Sequence, residues 1–154
     1  MKIIIMRHGQ ATLSNNDQVL TNKGILESTK VAEEINRKYK ITRAFISPKT
    51  RAQQTAHIVL SKVQGKVIRE ILPELVPQGD PLTFRAYLDA VCNFEDVVLI
   101  VSHLPLVSEL CYEFTSHQDF GPDFVTSSAF LLDYNGEIAI PEHFFKPQNE
   151  YWYN

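Results

Sequence analysis

The sequence predicts a three-layer α/β sandwich on a mostly parallel sheet, finished by a C-terminal antiparallel hairpin. Three observations support this. Two short β-branched apolar runs, Ile3–Met6 and Val97–Val101, read as strands buried on both faces, which is typical of parallel sheets. Segments of helical period alternate with further short apolar runs along most of the chain. Asn135-Gly136, between two strand-like stretches, is a strong hairpin turn signal. The 154 residues suit one domain, 1–154, with a real core. Neither a GxGxxG nor a GxxxxGK[ST] string follows any strand, so dinucleotide and P-loop folds have no support.

The elements follow in order. Lys2 to Met6 forms a strand that ends in Arg7-His8-Gly9, and Gly9 permits the turn. Gln10 to Gln18 is polar and has loop composition. Thr21 can cap a helix over Ile25 to Tyr39, with Ile25, Ser28, Val31, Ala32, Ile35 and Tyr39 on the packed face. Ala44 to Ile46 is the second strand. Ser47 as N-cap and Pro48 at the first helical position then open a helix to about Leu60, with Arg51 in its first turn. Val67 to Ile71 is a third strand, followed by a Pro- and Gly-containing loop from Leu72 to Asp80. Asp80-Pro81 starts a helix to about Cys92, with Leu82, Tyr87, Leu88 and Val91 as apolar contacts. Val97 to Val101 ends in Ser102-His103-Leu104, and Pro105 opens a helix to about Phe114. Phe124-Val125 and Ser128 to Tyr134 read as strand, and Glu137 to Ile140 returns antiparallel. The Tyr151-Trp152-Tyr153 cluster is expected to pack on the sheet edge.

Net charge is −3, so no global basic field recruits nucleic acid, and any anion site must be local. Two cysteines, Cys92 and Cys111, make no disulfide scaffold and read as small buried hydrophobes. No stretch is long enough to span a membrane and no signal-peptide core leads the chain. A cytoplasmic monomer with no nucleic-acid or membrane partner is expected.

Parallel strands place their carboxyl ends on one sheet edge, where open α/β sheets bind ligands. Arg7-His8, Arg51 and His103 all follow strand ends and so fall on that edge. A helix start favours acids rather than Arg. On position alone, Arg51 serves an anion or a surface salt bridge equally well.

Arg7-His8-Gly9 after an apolar strand, Leu20-Thr21-Asn22-Lys23-Gly24, the run Ser47-Pro48-Lys49-Thr50-Arg51-Ala52-Gln53-Gln54-Thr55-Ala56 and Val101-Ser102-His103 occur in that order. Together they resemble the histidine phosphatase superfamily, which is phosphoglycerate mutase-like. The short length, the Leu-Pro-Glu-Leu-x-Pro-x-Gly-Asp string and Ser102-His103-Leu104-Pro105-Leu106-Val107 resemble the small bacterial phosphohistidine phosphatases without a lid domain.

The resemblance implies that His8 is the nucleophile and becomes phosphorylated. A neutral imidazole must attack, and Arg7 and Arg51 nearby disfavour the imidazolium. Both guanidinium groups can clamp the phosphoryl oxygens. At about 4 Å and an effective dielectric of about 20, each charge pair is worth roughly 4 kcal/mol before desolvation. His103 and the backbone amide of Leu104, opening the next helix, can add hydrogen bonds. No cofactor or metal is expected; two histidines without carboxylate or thiolate companions suit zinc poorly. For an ester substrate the proton donor is Glu74 first and Asp80 second, Asp80 already serving as an N-cap; a phosphohistidine substrate can do without one. Ile71 to Val97 holds too little chain for a lid, so a phosphohistidine-bearing protein, such as a phosphorelay domain, is the expected substrate. The alternatives are a broad small-molecule phosphomonoesterase using Glu74 and a non-catalytic phosphate-binding module. His57, His117 and His143 read as structural or solvated.

Overall fold

The protein was analysed as a computed structural model that describes residues 1–147. One six-stranded sheet organises it: β1 (Lys2–Arg7), β4 (Arg43–Ile46), β5 (Ile68–Ile71), β6 (Val97–Ser102), β7 (Ala129–Tyr134) and β8 (Ala139–Phe145), in the order β5-β4-β6-β1-β7-β8. The pairs β1 with β6, β6 with β4 and β4 with β5 are parallel, whereas β7 runs antiparallel to both β1 and β8. The predicted three-layer α/β architecture is therefore present, with the apolar runs Ile3–Met6 and Val97–Val101 as central neighbours in register.

Strict alternation along β1 divides the core. Ile4 and Met6 join Ala44, Leu99 and Val101 against Val31, Ala32 and Ile35 of α1 (Asn22–Lys38) and Ala52, Ala56 and Val59 of α2 (Thr50–Leu60). Ile3 and Ile5 join Phe45, Val98 and Ile100 against Phe84 and Leu88 of α3 (Pro81–Val91) and Leu106, Leu110 and Phe114 of α4 (Leu106–Phe114). Burying each of the larger aliphatic and aromatic side chains among these contributes about 1.5–3 kcal/mol. The strand ends are thus fixed by two independent apolar layers. That fixes the residues just beyond them.

Several expectations need correction. The polar segment after Gly9 is no loop but a hairpin, β2 (Ala11–Ser14) and β3 (Asp17–Leu20), turning at Asn15 and Asn16 with φ of 50° and 63°. Asn tolerates this left-handed conformation better than most residues. Phe124-Val125 is irregular, so β7 begins only at Ala129. The returning strand β8 extends to Phe145, further than predicted, and accommodates Pro141 because it is a sheet edge with a register shift there. Ile25 and Leu82, assigned to packed faces, are 45% and 63% exposed. The Thr21 hydroxyl does cap α1, accepting from Gly24 N–H at 3.0 Å, and Asp80 caps α3 through Leu82 N–H at 3.1 Å. Cys111 is buried, and Cys92 half-buried. Among the described residues, no helix is long and apolar enough to cross a membrane. The Tyr151-Trp152-Tyr153 cluster lies outside the described residues.

Candidate active site

Three parallel strand ends meet at the carboxyl edge of the sheet. Beyond β1, the backbone of His8 is held on both sides: its N–H donates to Ser102 O at 3.0 Å, and its C=O accepts from Ser127 N–H at 3.0 Å. Gly9 follows, with its N–H donating to Thr55 Oγ1 at 2.9 Å. A Cβ at Gly9 would lie 2.7 Å from Ser28 Oγ and 3.0 Å from Gly24 O, so only glycine lets the chain pass here.

The His8 ring is buried, and its Nδ1–H donates to Gly9 O at 2.7 Å. That bond sets the tautomer and leaves Nε2 with its lone pair. Arg51 Nε–H, from the first turn of α2, approaches Nε2 at 3.4 Å. The ring of His103, just past β6, lies 5.0 Å from that of His8, centroid to centroid, and is 2% exposed. Its Nε2 is 2.7 Å from Ser47 Oγ, whereas Nδ1 is buried without a partner among the described residues. Arg7 donates through NH1 to Phe124 O at 2.8 Å, and its Nε is likewise buried without a partner among the described residues. No ion pair within 4 Å neutralises Arg7 or Arg51 among the described residues.

Burial is the main reason His8 titrates low, at about 4; the Gly9 hydrogen bond opposes this, and the Arg51 and Arg7 charges reinforce it. His103 is pushed down to about 3 by burial first, then by His8, Arg51, Lys49 and Arg7. Both imidazoles are therefore neutral near pH 7, in a field of permanent positive charge. Such a site can present a nitrogen lone pair to an electrophile while holding anionic oxygens.

The remaining predicted residues differ in placement. Leu104 is partly exposed, and among the described residues nothing accepts from its backbone N–H. Glu74 sits in the short 3-10 turn Pro73–Leu75 after β5, half-buried, and makes no hydrogen bond or ion pair with any described residue. Its turn is pinned to the end of β6 by Ser102 Oγ, which donates to Leu75 O at 2.7 Å. Gly79 passes so close to Glu74 O that a Cβ there would overlap it. Asp80 is occupied: its carboxylate accepts from Leu82 N–H and from Thr83 Oγ1 at 2.7 Å. The three other histidines stay apart from this cluster. His57 is exposed on α2, His117 pairs with Glu113 at 3.4 Å, and His143 lies 3.8 Å from Glu34.

Ser47 does not cap α2, contrary to the sequence reading. That helix begins at Thr50, with Lys49 in the cap position and no side-chain cap; the Ser47 hydroxyl turns inward to His103 instead. Thr55 was also not singled out, yet it accepts from Gly9 N–H and donates to Arg51 O at 2.8 Å, tying the turn after His8 to the helix that carries Arg51. The Ser-Pro pair was the available signal for Ser47, but it suggests a cap equally well.

Two imidazoles and two guanidinium groups without an ion pair among the described residues, at the carboxyl edge of an α/β sheet, fit a phosphoryl-handling enzyme. The sequence profile of the histidine phosphatase superfamily (branch 1) matches residues 3–75. Phosphohistidine phosphatase SixA of Escherichia coli is 40% identical over 144 residues, 88% of either chain. A SixA homologue of Haemophilus influenzae is 34% identical over 128 residues, 73% of this chain and 76% of that one. A solved structure of the protein histidine phosphatase SixA complexed with tungstate superimposes with a TM-score of 0.84 at 36% identity, covering 96% of this chain and 97% of that one. The chain belongs to the histidine phosphatase superfamily and is a phosphatase.

Proposed function

We propose that the protein is a phosphohistidine phosphatase, acting on phosphohistidine carried by another protein through a phospho-His8 intermediate. The observation that carries this is the His8 lone pair: Nδ1–H is tied to Gly9 O while Nε2 stands beside Arg51. The similarity to SixA proteins over most of the chain supports the substrate class.

In the first step Nε2 of His8 forms a bond to phosphorus as the bond from phosphorus to the substrate's imidazole nitrogen breaks. The departing ring takes the electron pair, and protonation of its distal nitrogen makes it a good leaving group. Arg7 and Arg51 bear the charge on the phosphoryl oxygens, where most of the catalytic contribution lies in such a loose transition state. His103 and the backbone N–H of Leu104 add neutral donors. In the second step water attacks phosphorus, the bond to His8 breaks, and phosphate leaves with His8 again neutral.

The pocket's openness favours a protein substrate. Between β5 and β6 the chain supplies only the 3-10 turn and α3, and α3 buries Phe84 and Leu88 in the core rather than folding over the site. An ester would need an acid for its alkoxide. Glu74, without a partner among the described residues and on a turn fixed from two sides, is the carboxylate assigned to that role in this reading.

The test is rapid quench of the purified enzyme with a 32P-phosphohistidine protein, beside a small aryl phosphate. Acid-labile, base-stable label should appear on the wild type and be absent from His8→Ala, with turnover down roughly 10⁴-fold or more. Glu74→Gln should leave phosphohistidine turnover within about threefold while slowing the ester roughly 100-fold. Efficient ester hydrolysis with no label transfer from the phosphohistidine protein would reject this substrate class.

A further inference from the structure

The geometry points to Ser47 as a positioning residue that fixes the tautomer of His103, so that Nδ1–H, and not a bare lone pair, is presented to the phosphoryl oxygens. The inference rests on the phosphotransfer reading above and specifies how one of its donors is made.

The argument is a count of protons and lone pairs. Ser47 is fully buried, and its hydroxyl has one proton and two lone pairs. One lone pair takes the backbone N–H of Lys49 at 3.3 Å. The other close neighbour is Nε2 of His103 at 2.7 Å. Were Nε2 protonated and donating to Ser47, the hydroxyl proton would have no acceptor among the described residues, in a place water does not reach. That arrangement leaves two buried groups unpaired, the hydroxyl proton and the Nδ1 lone pair, whereas a donating hydroxyl leaves only Nδ1–H, so the hydroxyl donates and Nε2 accepts. A neutral imidazole carries one proton, which must then sit on Nδ1.

Nδ1 is also the one ring nitrogen left over. It is buried, has no partner among the described residues, and belongs to a ring 5.0 Å from that of the nucleophile. Two neutral tautomers have opposite effects there. With the proton on Nδ1, His103 attracts an anionic oxygen; with the proton on Nε2, a lone pair repels it. His103 stays neutral around pH 7, so it cannot avoid the choice by becoming an imidazolium. Lys49 N–H and the hydroxyl therefore act in sequence: the amide occupies the oxygen lone pair, the hydroxyl is turned towards the ring, and the ring is turned into a donor.

This explains why Ser47 is drawn away from α2. A capping hydroxyl accepts from helix amides and faces solvent. Here the same hydroxyl is buried at the end of β4, where Ser47 N–H also donates to Val101 O at 3.0 Å, fixing the serine to the strand that delivers His103.

The first test needs no variant. Long-range 1H–15N correlation of the wild type at pH 7 should show Nδ1 of His103 as the protonated ring nitrogen and Nε2 as the bare one, and titration with inorganic phosphate should move the Nδ1–H signal. A proton on Nε2 overturns the proposal. Ser47→Ala should lower kcat roughly 10- to 100-fold with a smaller change in KM, and weaken inorganic phosphate binding. Ser47→Thr, which keeps the hydroxyl, should recover most of kcat. In a His103→Ala background Ser47→Ala should cost nothing further; an undiminished loss there means Ser47 acts elsewhere and overturns the proposal. If the phosphohistidine protein is not turned over while the tautomer is as described, the functional reading fails alone.

Discussion

The two edges of the sheet treat charge in opposite ways. At the amino edge the partly buried charges have partners. Asp96, before β6, accepts from Thr42 Oγ1 at 2.8 Å, from Asn93 N–H at 2.8 Å and from Arg43 Nε at 3.2 Å. Lys2 pairs with Glu142 at 2.6 Å, and the N-terminal amine donates to Tyr134 O at 3.0 Å. At the carboxyl edge Arg7 and Arg51 have no ion pair, and the two buried side-chain polar atoms without partners among the described residues, Arg7 Nε and His103 Nδ1, both belong there. A fold that satisfies its polar groups on one edge and withholds partners on the other has reserved those groups for a ligand. The cost of leaving them unpaired is borne by the two apolar layers that fix the strands.

Among the substitutions that test this contrast, the largest effect is expected from removing a cation at the reserved edge. Arg51→Ala should lower kcat/KM roughly 10²- to 10³-fold, as loss of a transition-state donor does, while thermal stability stays unchanged or rises. The acid limb of the pH–rate profile should also move upward, because the Arg51 charge is one of the influences holding His8 low. A large fall in stability would show that Arg51 holds the fold, and the contrast between edges would fail.

The pH dependence of stability separates the edges next. His8 falls from an ordinary 6.5 to about 4 in the fold, so between those values the unfolded chain binds more protons. Stability must then fall as pH drops from 6.5 towards 4, by about 3 kcal/mol from His8 alone at pH 4. His103, at about 3, adds a loss with the same sign and a lower end. At the amino edge burial works against the Asp96 carboxylate, but the Asn93 amide, the Thr42 hydroxyl and Arg43 outweigh it and hold the group below its ordinary 3.8. Its contribution is complete above the ordinary carboxylate range and is lost below it. Urea melts across pH 3.5 to 7 should therefore show a histidine-driven slope that His8→Ala flattens and Asp96→Ala leaves in place.

Asp96→Ala should destabilise by about 2 kcal/mol at pH 7, less than for a fully enclosed pair because both side chains keep some contact with water. Activity per folded molecule should be unchanged. A matching loss of kcat would mean the amino edge reaches the chemistry.

How far this division was legible in the sequence depended on where each partner came from. The strands and the residues ending them could be read because a short β-branched run that stops at Arg, His or Ser carries its own boundary. The hairpin Ala11–Leu20 could not, because it packs so little: Leu13 is 71% exposed, and the turn is Asn15-Asn16 rather than an Asn-Gly pair. At Asn135-Gly136 a hairpin is legible because apolar strands flank it, although its connection spans 135–138 and only Gly136 takes a positive φ. Phe124 and Ser47 were misplaced for a different reason. The Phe124 carbonyl serves Arg7, and the Ser47 hydroxyl serves a histidine 56 positions away. Local pattern shows a cap or a strand in both cases; only the assembled sheet edge supplies the competing partner.

The smallest effect tests an exposed acid at the rim of the cationic edge. Asp17, on the missed hairpin, bonds the Thr50 hydroxyl and is held low by that bond first, then by Gln18 N–H, with Arg51 and Lys49 contributing from a distance. It is exposed, so water and salt screen its charge. Asp17→Asn keeps an acceptor for Thr50 but removes a negative charge that competes with phosphate for Arg51 and Lys49. The inorganic phosphate inhibition constant should fall about twofold in dilute buffer, and the difference should vanish at high ionic strength. Stability should scarcely change, since the hydrogen bond survives. If phosphate binding weakens instead, the hairpin's role is to position α2 and Arg51 through Asp17, and its charge is incidental.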